Sequence, residues 1–182
     1  MNKKENKKQA GFTVLELVAV SGIMVILLVS FFANFRGFDQ QIVLENDAQR
    51  IVSILRQAQI MALTGQTVGG KRYNYGVHLS ECSVNECKYT LFRVADAQDK
   101  LYAKGESMAG GEHSLSDKIY IHQLSPTSGS DLDIVFVAPL GEIYFNNATT
   151  DDEAQIILKH NSTEETQTIS INRISGQVDV NE

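Results

Sequence analysis

The sequence predicts an α+β protein: one long N-terminal α-helix, apolar all round in its first half and amphipathic in its second, packed on antiparallel β-sheets. Three observations predict it. Residues Phe12 to Phe35 form a run of 24 with one ionisable side chain, Glu16. Leu44, Ala48, Ile51, Leu55, Ala58 and Ala62 then recur at spacings of four and three, the repeat of a helix with one apolar face. Beyond Gly65 the pattern turns to short β-rich runs split by turn residues, and helix followed by strands is the α+β order.

The apolar run rises about 1.5 Å per residue as a helix, about 36 Å in all, which is enough to cross a bilayer. Gly22 is its only helix-weakening residue and no proline interrupts it. A secretory signal peptide is also basic and then apolar, but its apolar part spans only about 7 to 15 residues. Nor does such a signal need a carboxylate near the start of its apolar core, since burying a charge in an apolar helix costs up to about 2.5 to 3.5 kcal/mol, the figure for its centre on insertion scales. Glu16 therefore needs a compensating partner.

Charge gives the run a direction. Lys3, Lys4, Lys7 and Lys8 against Glu5 leave the first eleven residues at +3, and the remainder at −9 against a total of −6. A short basic segment before an apolar run stays on the cytoplasmic face, which puts the acidic bulk of the chain outside the cytoplasm. An acidic surface repels phosphate backbones, so broad nucleic-acid binding is not expected. With 43% hydrophobic and 21% charged residues, the chain is neither disordered nor collagen-like.

The stretch KKQAGFTVLELVAVSGIMVILLVSFFANFR resembles the class III signal of type IV pilins and type II secretion pseudopilins. The resemblance implies that a prepilin peptidase cuts after Gly11 and methylates the new N-terminal Phe12, leaving Glu16 fifth in the mature chain. Cleavage would create a cationic amine at Phe12, one helical turn from Glu16, in a setting where either charge alone is costly. In that family the glutamate of an incoming subunit meets the N-terminal amine of its neighbour, and low dielectric strengthens such a pair.

The amphipathic half extends the helix to Thr64, up to 53 residues from Phe12. Ile42, Val52 and Met61 are expected to broaden its apolar stripe, with Glu45, Asp47, Arg50, Arg56, Gln57 and Gln59 pointing elsewhere. Gly65 is the expected stop. Domains therefore read as a leader over 1–11, a membrane or filament-core helix over 12–35, its amphipathic continuation over 36–64, and a β-rich head over 65–182.

In the head, strands are expected over Tyr73 to Leu79, Tyr89 to Ala95, Lys118 to Leu124, Asp133 to Ala138, Glu142 to Asn146, Gln155 to Lys159, Thr166 to Arg173 and Gln177 to Val180. Alternation in Thr168, Ile169, Ser170, Ile171 and Asn172 makes that strand half-buried. Pro139 to Gly141 and Ser175 to Gly176 read as turns, Gly69 to Arg72 as a flexible basic turn, and Asp96 to Asp117 as a long polar surface excursion. Cys82 and Cys87 in ECSVNEC lie between two strands. They either close a small disulfide, if the head is exported, or stand as two free thiols on a loop. The stretches RIVSILRQAQIMALTGQTV, IVFVAPLGEIYF and ISINRISGQVDV look like those of the minor pseudopilin family called GspH/FimT, which implies a pilin-like fold.

Catalytic motifs are missing. His78, His113, His122 and His160 lack metal-ligand spacing and read as surface or strand residues. Asp151, Asp152 and Glu153 read as a solvated turn, although such a trio can hold calcium. No nucleophile elbow, phosphate loop or CxxC pair occurs, so neither an enzyme, a cofactor nor a metal is expected. The resemblance implies a structural minor pilin or pseudopilin of a type IV pilus or secretion pseudopilus. Its partners would be prepilin peptidase, other pilin or pseudopilin subunits, the inner-membrane assembly platform and membrane lipid. The rival is a DNA-binding minor pilin, for which Lys71, Arg72, Arg93, Lys159 and Arg173 are too dispersed for the sequence to show a patch.

Overall fold

The computed structural model describes residues 13–84, 87–95, 100–163 and 165–181. They form α1 (Val14–Leu63), then β1 (Thr67–Val68), β2 (Lys71–Arg72), β3 (Asn74–Ser80), β4 (Lys88–Val94), β5 (Ser107–Ser114), β6 (Ile119–Ser125), β7 (Asp131–Val137), β8 (Glu142–Phe145), β9 (Glu153–His160), β10 (Thr166–Asn172) and β11 (Val178–Asn181). The class is α+β, as expected. Two compact units result, Met1–Asp39 and Gln40–Glu182, so the amphipathic half of α1 belongs with the β-rich head.

In the head all strand pairings are antiparallel. A five-stranded sheet has the order β5-β4-β3-β7-β8 and a four-stranded sheet the order β11-β10-β9-β6. Leu44, Ala48, Ile51, Leu55, Ala58 and Ala62 are all buried, so the four-three spacing does lay one stripe of α1 into the core. The same core takes Tyr75, Val77 and Leu79 from β3, Leu132, Ile134 and Phe136 from β7, and Ile156, Leu158, Ile169 and Ile171 from β9 and β10. The predicted alternation of β10 holds: Ile169 pairs with Ile156 on one side and Val180 on the other, while Ser170 faces away.

Two expectations for α1 fail. Ile42 is 41% exposed and does not broaden the stripe. Asp47, expected to face water, is 1% exposed. Its Oδ2 accepts the Ser116 N–H at 2.8 Å and its Oδ1 lies 3.6 Å from the exposed Arg50 guanidinium, so the carboxylate is buried only where it is paired. The helix stops as expected. Gly65 has φ +60°, its N–H donates to the Ala62 carbonyl, and the Gln66 N–H donates to Met61, which together make a Schellman motif.

Three further corrections concern the strands. Within the expected excursion, Ser107–Ser114 is a strand, the edge of the larger sheet, paired to β4 with a register shift between Thr90 and Phe92. SMAGGEHS lacks β-branched residues, so propensity alone hides it. Gly111 allows the close approach, because a Cβ there would sit 2.5 Å from the Leu91 carbonyl oxygen. Gly69 and Gly70, at φ +60° and +77°, join β1 to β2 as a tight hairpin in place of a flexible turn. The strand expected to reach Asn146 ends at Phe145, because Asn146 and Asn147 take positive φ. Cys82 and Cys87 are disulfide-bonded.

Lys100 to Tyr102 covers part of the larger sheet's outer face. Tyr102 lies edge-on to Phe92, beside Val94 and Val135, in a small second cluster. Lys100 sits over the Tyr144 ring at 4.1 Å. This covering buries β3 and β7 on both faces, and Gly76 is part of it: the Phe92 ring lies where a Cβ would be, 2.8 Å away.

Asp47→Ala is expected to destabilise the head by about 1–3 kcal/mol, because it strands the Ser116 N–H, while Asp47→Asn keeps an acceptor and loses less. Urea denaturation of the detergent-solubilised chain checks the order of the two. Burial raises the Tyr89 and Tyr75 phenols above their ordinary value, so the neutral forms belong to the folded state. The unfolded chain deprotonates first, and stability should fall as pH rises through about 10 and upward. Tyrosinate absorbance in which all the tyrosines titrate together near the unperturbed value would contradict this.

Candidate membrane and assembly segment

Val14–Phe32 is 19 residues long with mean hydropathy 2.6, and none of it is buried. It is the one described helical stretch long and apolar enough to cross a membrane, and it lies within the expected Phe12–Phe35. Val14, Leu15, Leu17, Ile26 and Phe32 are each more than 60% exposed, on all sides of the helix. A helix apolar all round finds its stable environment in hydrocarbon or in a protein core.

Its polar groups are handled internally, apart from one. The Ser21 hydroxyl donates to the Val18 carbonyl at 2.9 Å and the Ser30 hydroxyl to the Ile26 carbonyl at 3.0 Å. Such back-bonding satisfies hydroxyls where no water is present. Glu16 is exposed, and among the described residues no side chain pairs with its carboxylate. Its backbone N–H donates to Thr13 Oγ1 at 3.3 Å, so Thr13 caps the helix and Glu16 stands in its first turn. The TVLE spacing is the sequence signal of such a cap. A carboxylate there also complements the positive end of the helix dipole. Gly11 and Phe12, the cleavage and methylation residues of the expected signal, lie outside the described residues.

The remaining candidates separate. Asp152 pairs with Arg173 at 2.7 Å, and among the described residues no group of three His, Cys, Asp or Glu converges as a metal site. His113 stacks on Tyr89, His122 lies edge-on to Tyr120, and buried His160 accepts the Ser162 N–H on Nδ1. His78 lies in β3, a strand residue as expected, but its partners were not legible in the sequence. Its Nδ1 lies 2.7 Å from Asp133 Oδ1, its ring stacks on Tyr102, and Asp133 Oδ2 accepts the Tyr102 N–H. The partners are far apart in sequence, and only the register His78↔Asp133 between β3 and β7 joins them. This pair pins the covering segment to the sheet.

Of the five basic residues, three come together. Lys71 and Arg72 form exposed β2, and the Arg93 guanidinium lies 5.1 Å from the centre of the Tyr73 ring. Lys159 belongs to the other sheet and Arg173 is held by Asp152. Comparison with family models, curated proteins and solved structures returns no match.

Proposed function

We propose that this chain is a non-enzymatic structural subunit of a type IV pilus or secretion pseudopilus, stored in a membrane through its N-terminal helix and assembled by helix packing. The observation that carries the reading is Glu16: one carboxylate, without a side-chain partner among the described residues, on a helix otherwise apolar on every side. In hydrocarbon that charge needs a cation. Cleavage after Gly11 would supply one as the amine of Phe12, on a neighbouring copy or a related subunit. The basic segment before the helix supports a cytoplasmic N-terminus and an extracytoplasmic head, and the disulfide suits an oxidising compartment.

The amphipathic half of α1 supports the same reading, because its stripe is used up in the head's own core. That leaves Val14–Phe32 as the segment that lipid or other helices must cover. A minor position in the filament rests on the sequence resemblance alone.

Co-expression with an active prepilin peptidase is expected to give a mature chain that begins at methylated Phe12; an uncut chain under those conditions would reject the reading. Glu16→Ala should insert normally yet enter filaments at least about tenfold less, if the lost pairing is worth 1.4 kcal/mol or more. Filament yield measured against membrane content separates the two steps.

A second reading, nucleic-acid binding, is favoured by the corner formed by Lys71, Arg72, Tyr73 and Arg93, where cations adjoin an aromatic face. It predicts a salt-dependent gel shift that Lys71→Ala with Arg72→Ala abolishes. Absence of any shift at low salt rejects it.

A further inference from the structure

The chain leaving β5 crosses from the five-stranded sheet to the four-stranded one, and it is held at three points, two in the connection and one at Ile121 within β6. The Leu115 N–H donates to the Cys87 carbonyl at 3.1 Å. The Ser116 N–H donates to Asp47. The Ile121 N–H lies 3.4 Å from Cys82 Sγ, while the Cys82 N–H reaches the Ile121 carbonyl at 3.5 Å. Two of the three anchors are therefore the two halves of one disulfide, and at Cys82 the sulfur itself is the contact. The loop Cys82 to Cys87 ties a hairpin of one sheet to the edge of the other.

The two cysteines differ in exposure. Cys87 is 4% exposed, whereas Cys82 is only partly buried. A cleft of about 560 Å³ opens beside Cys82, lined also by His78, Lys88, Thr90, Tyr102 and Glu112, and Cys87 does not line it. The Ser83 carbonyl oxygen lies 3.2 Å from Cys87 Sγ, so a released Cys87 thiol has an acceptor already in place.

We infer that Cys82–Cys87 is a thiol-exchange site, entered through this cleft by a dithiol reductant that attacks Cys82, and that its redox state sets how firmly the crossover 115–121 is held. In the step, a reductant thiolate bonds to Cys82 Sγ as the Cys82–Cys87 bond breaks. The bonding pair leaves on Cys87 Sγ, which takes up a proton. The reductant's second thiolate then attacks its own sulfur in the mixed disulfide and releases Cys82. Two electrons pass to the protein, and the reductant ends as a disulfide. The inference holds whether or not the chain assembles into a filament.

Hydrogen exchange of the full-length chain in detergent, with and without dithiothreitol, tests the consequence. Reduction should lower protection at Leu115 and Ile121 by about tenfold or more, with β9 and β10 unchanged, as local opening requires. Unchanged protection at 115–121 after complete reduction overturns the inference, and so does equal loss across β9 and β10. The wild-type chain suffices for that measurement. Direction of attack is read separately: oxidised glutathione should trap Cys82 in Cys87→Ser about tenfold faster than Cys87 in Cys82→Ser. Equal trapping, or faster trapping at Cys87, removes Cys82 as the point of attack.

Discussion

The head depends on the stripe that α1 presents to both sheets. Neither sheet is closed, and each has an apolar face that water would otherwise meet. Leu44, Ile51 and Leu55 are buried together with side chains from β3, β7, β9 and β10 in a single cluster, and a fully buried Leu or Ile contributes about 1.5–3 kcal/mol relative to exposure. Ala48, Ala58 and Ala62 are buried in the same cluster but contribute less area. Asp47, Gln59 and Arg56 add directional contacts along the stripe's flanks: Asp47 to Ser116, Gln59 to the Gly176 carbonyl and Arg56 to Val178. The apolar stripe supplies the driving force, and these polar contacts fix which loops meet the helix.

Within one helix, two solvents are read from two patterns. From Leu44 onward the four-three spacing separates apolar from polar faces. From Val14 to Phe32 no such separation exists, and a hydroxyl that appears there is turned back onto its own helix. The first pattern suits an interface between water and a core. The second suits surroundings without hydrogen-bonding capacity, where every backbone group must be satisfied within the segment.

What was legible in the sequence follows from what kind of force acts. The helix, its stop at Gly65 and the eight strands with good β-formers were readable because period and propensity agree there. β5 was not, because SMAGGEHS has no strand propensity and is held only as an edge partner of β4, with Gly111 permitting the contact. Asp47 was misread for a related reason: a carboxylate is placed outside by composition, and its burial depends on a Ser116 amide supplied by a loop 69 residues away. The His78–Asp133 pair likewise exists only through strand register. Of the candidate assembly residues, Glu16 was legible as an unbalanced charge, and the T-x-x-E spacing from Thr13 to Glu16 carries the cap as well.

Those two accounts of Glu16 can be weighed by magnitude. A carboxylate in the first turn of a helix gains about 0.3–1 kcal/mol from the dipole at an exposed site, and up to about 2 kcal/mol in favourable partly buried geometry. A charge at the centre of a membrane helix costs about 2.5–3.5 kcal/mol. Glu16 lies near one end of the apolar stretch, so its own cost is below that central figure. Capping explains why a helix tolerates an acid at this position, since any helix start would. It does not explain why an otherwise unbroken apolar surface keeps one there, because Thr13 alone supplies the cap's acceptor and a neutral residue at position 16 would leave that bond intact. The carboxylate is surplus to the cap, and under the proposed reading, in which this helix lies in hydrocarbon, a cation from another chain would balance it.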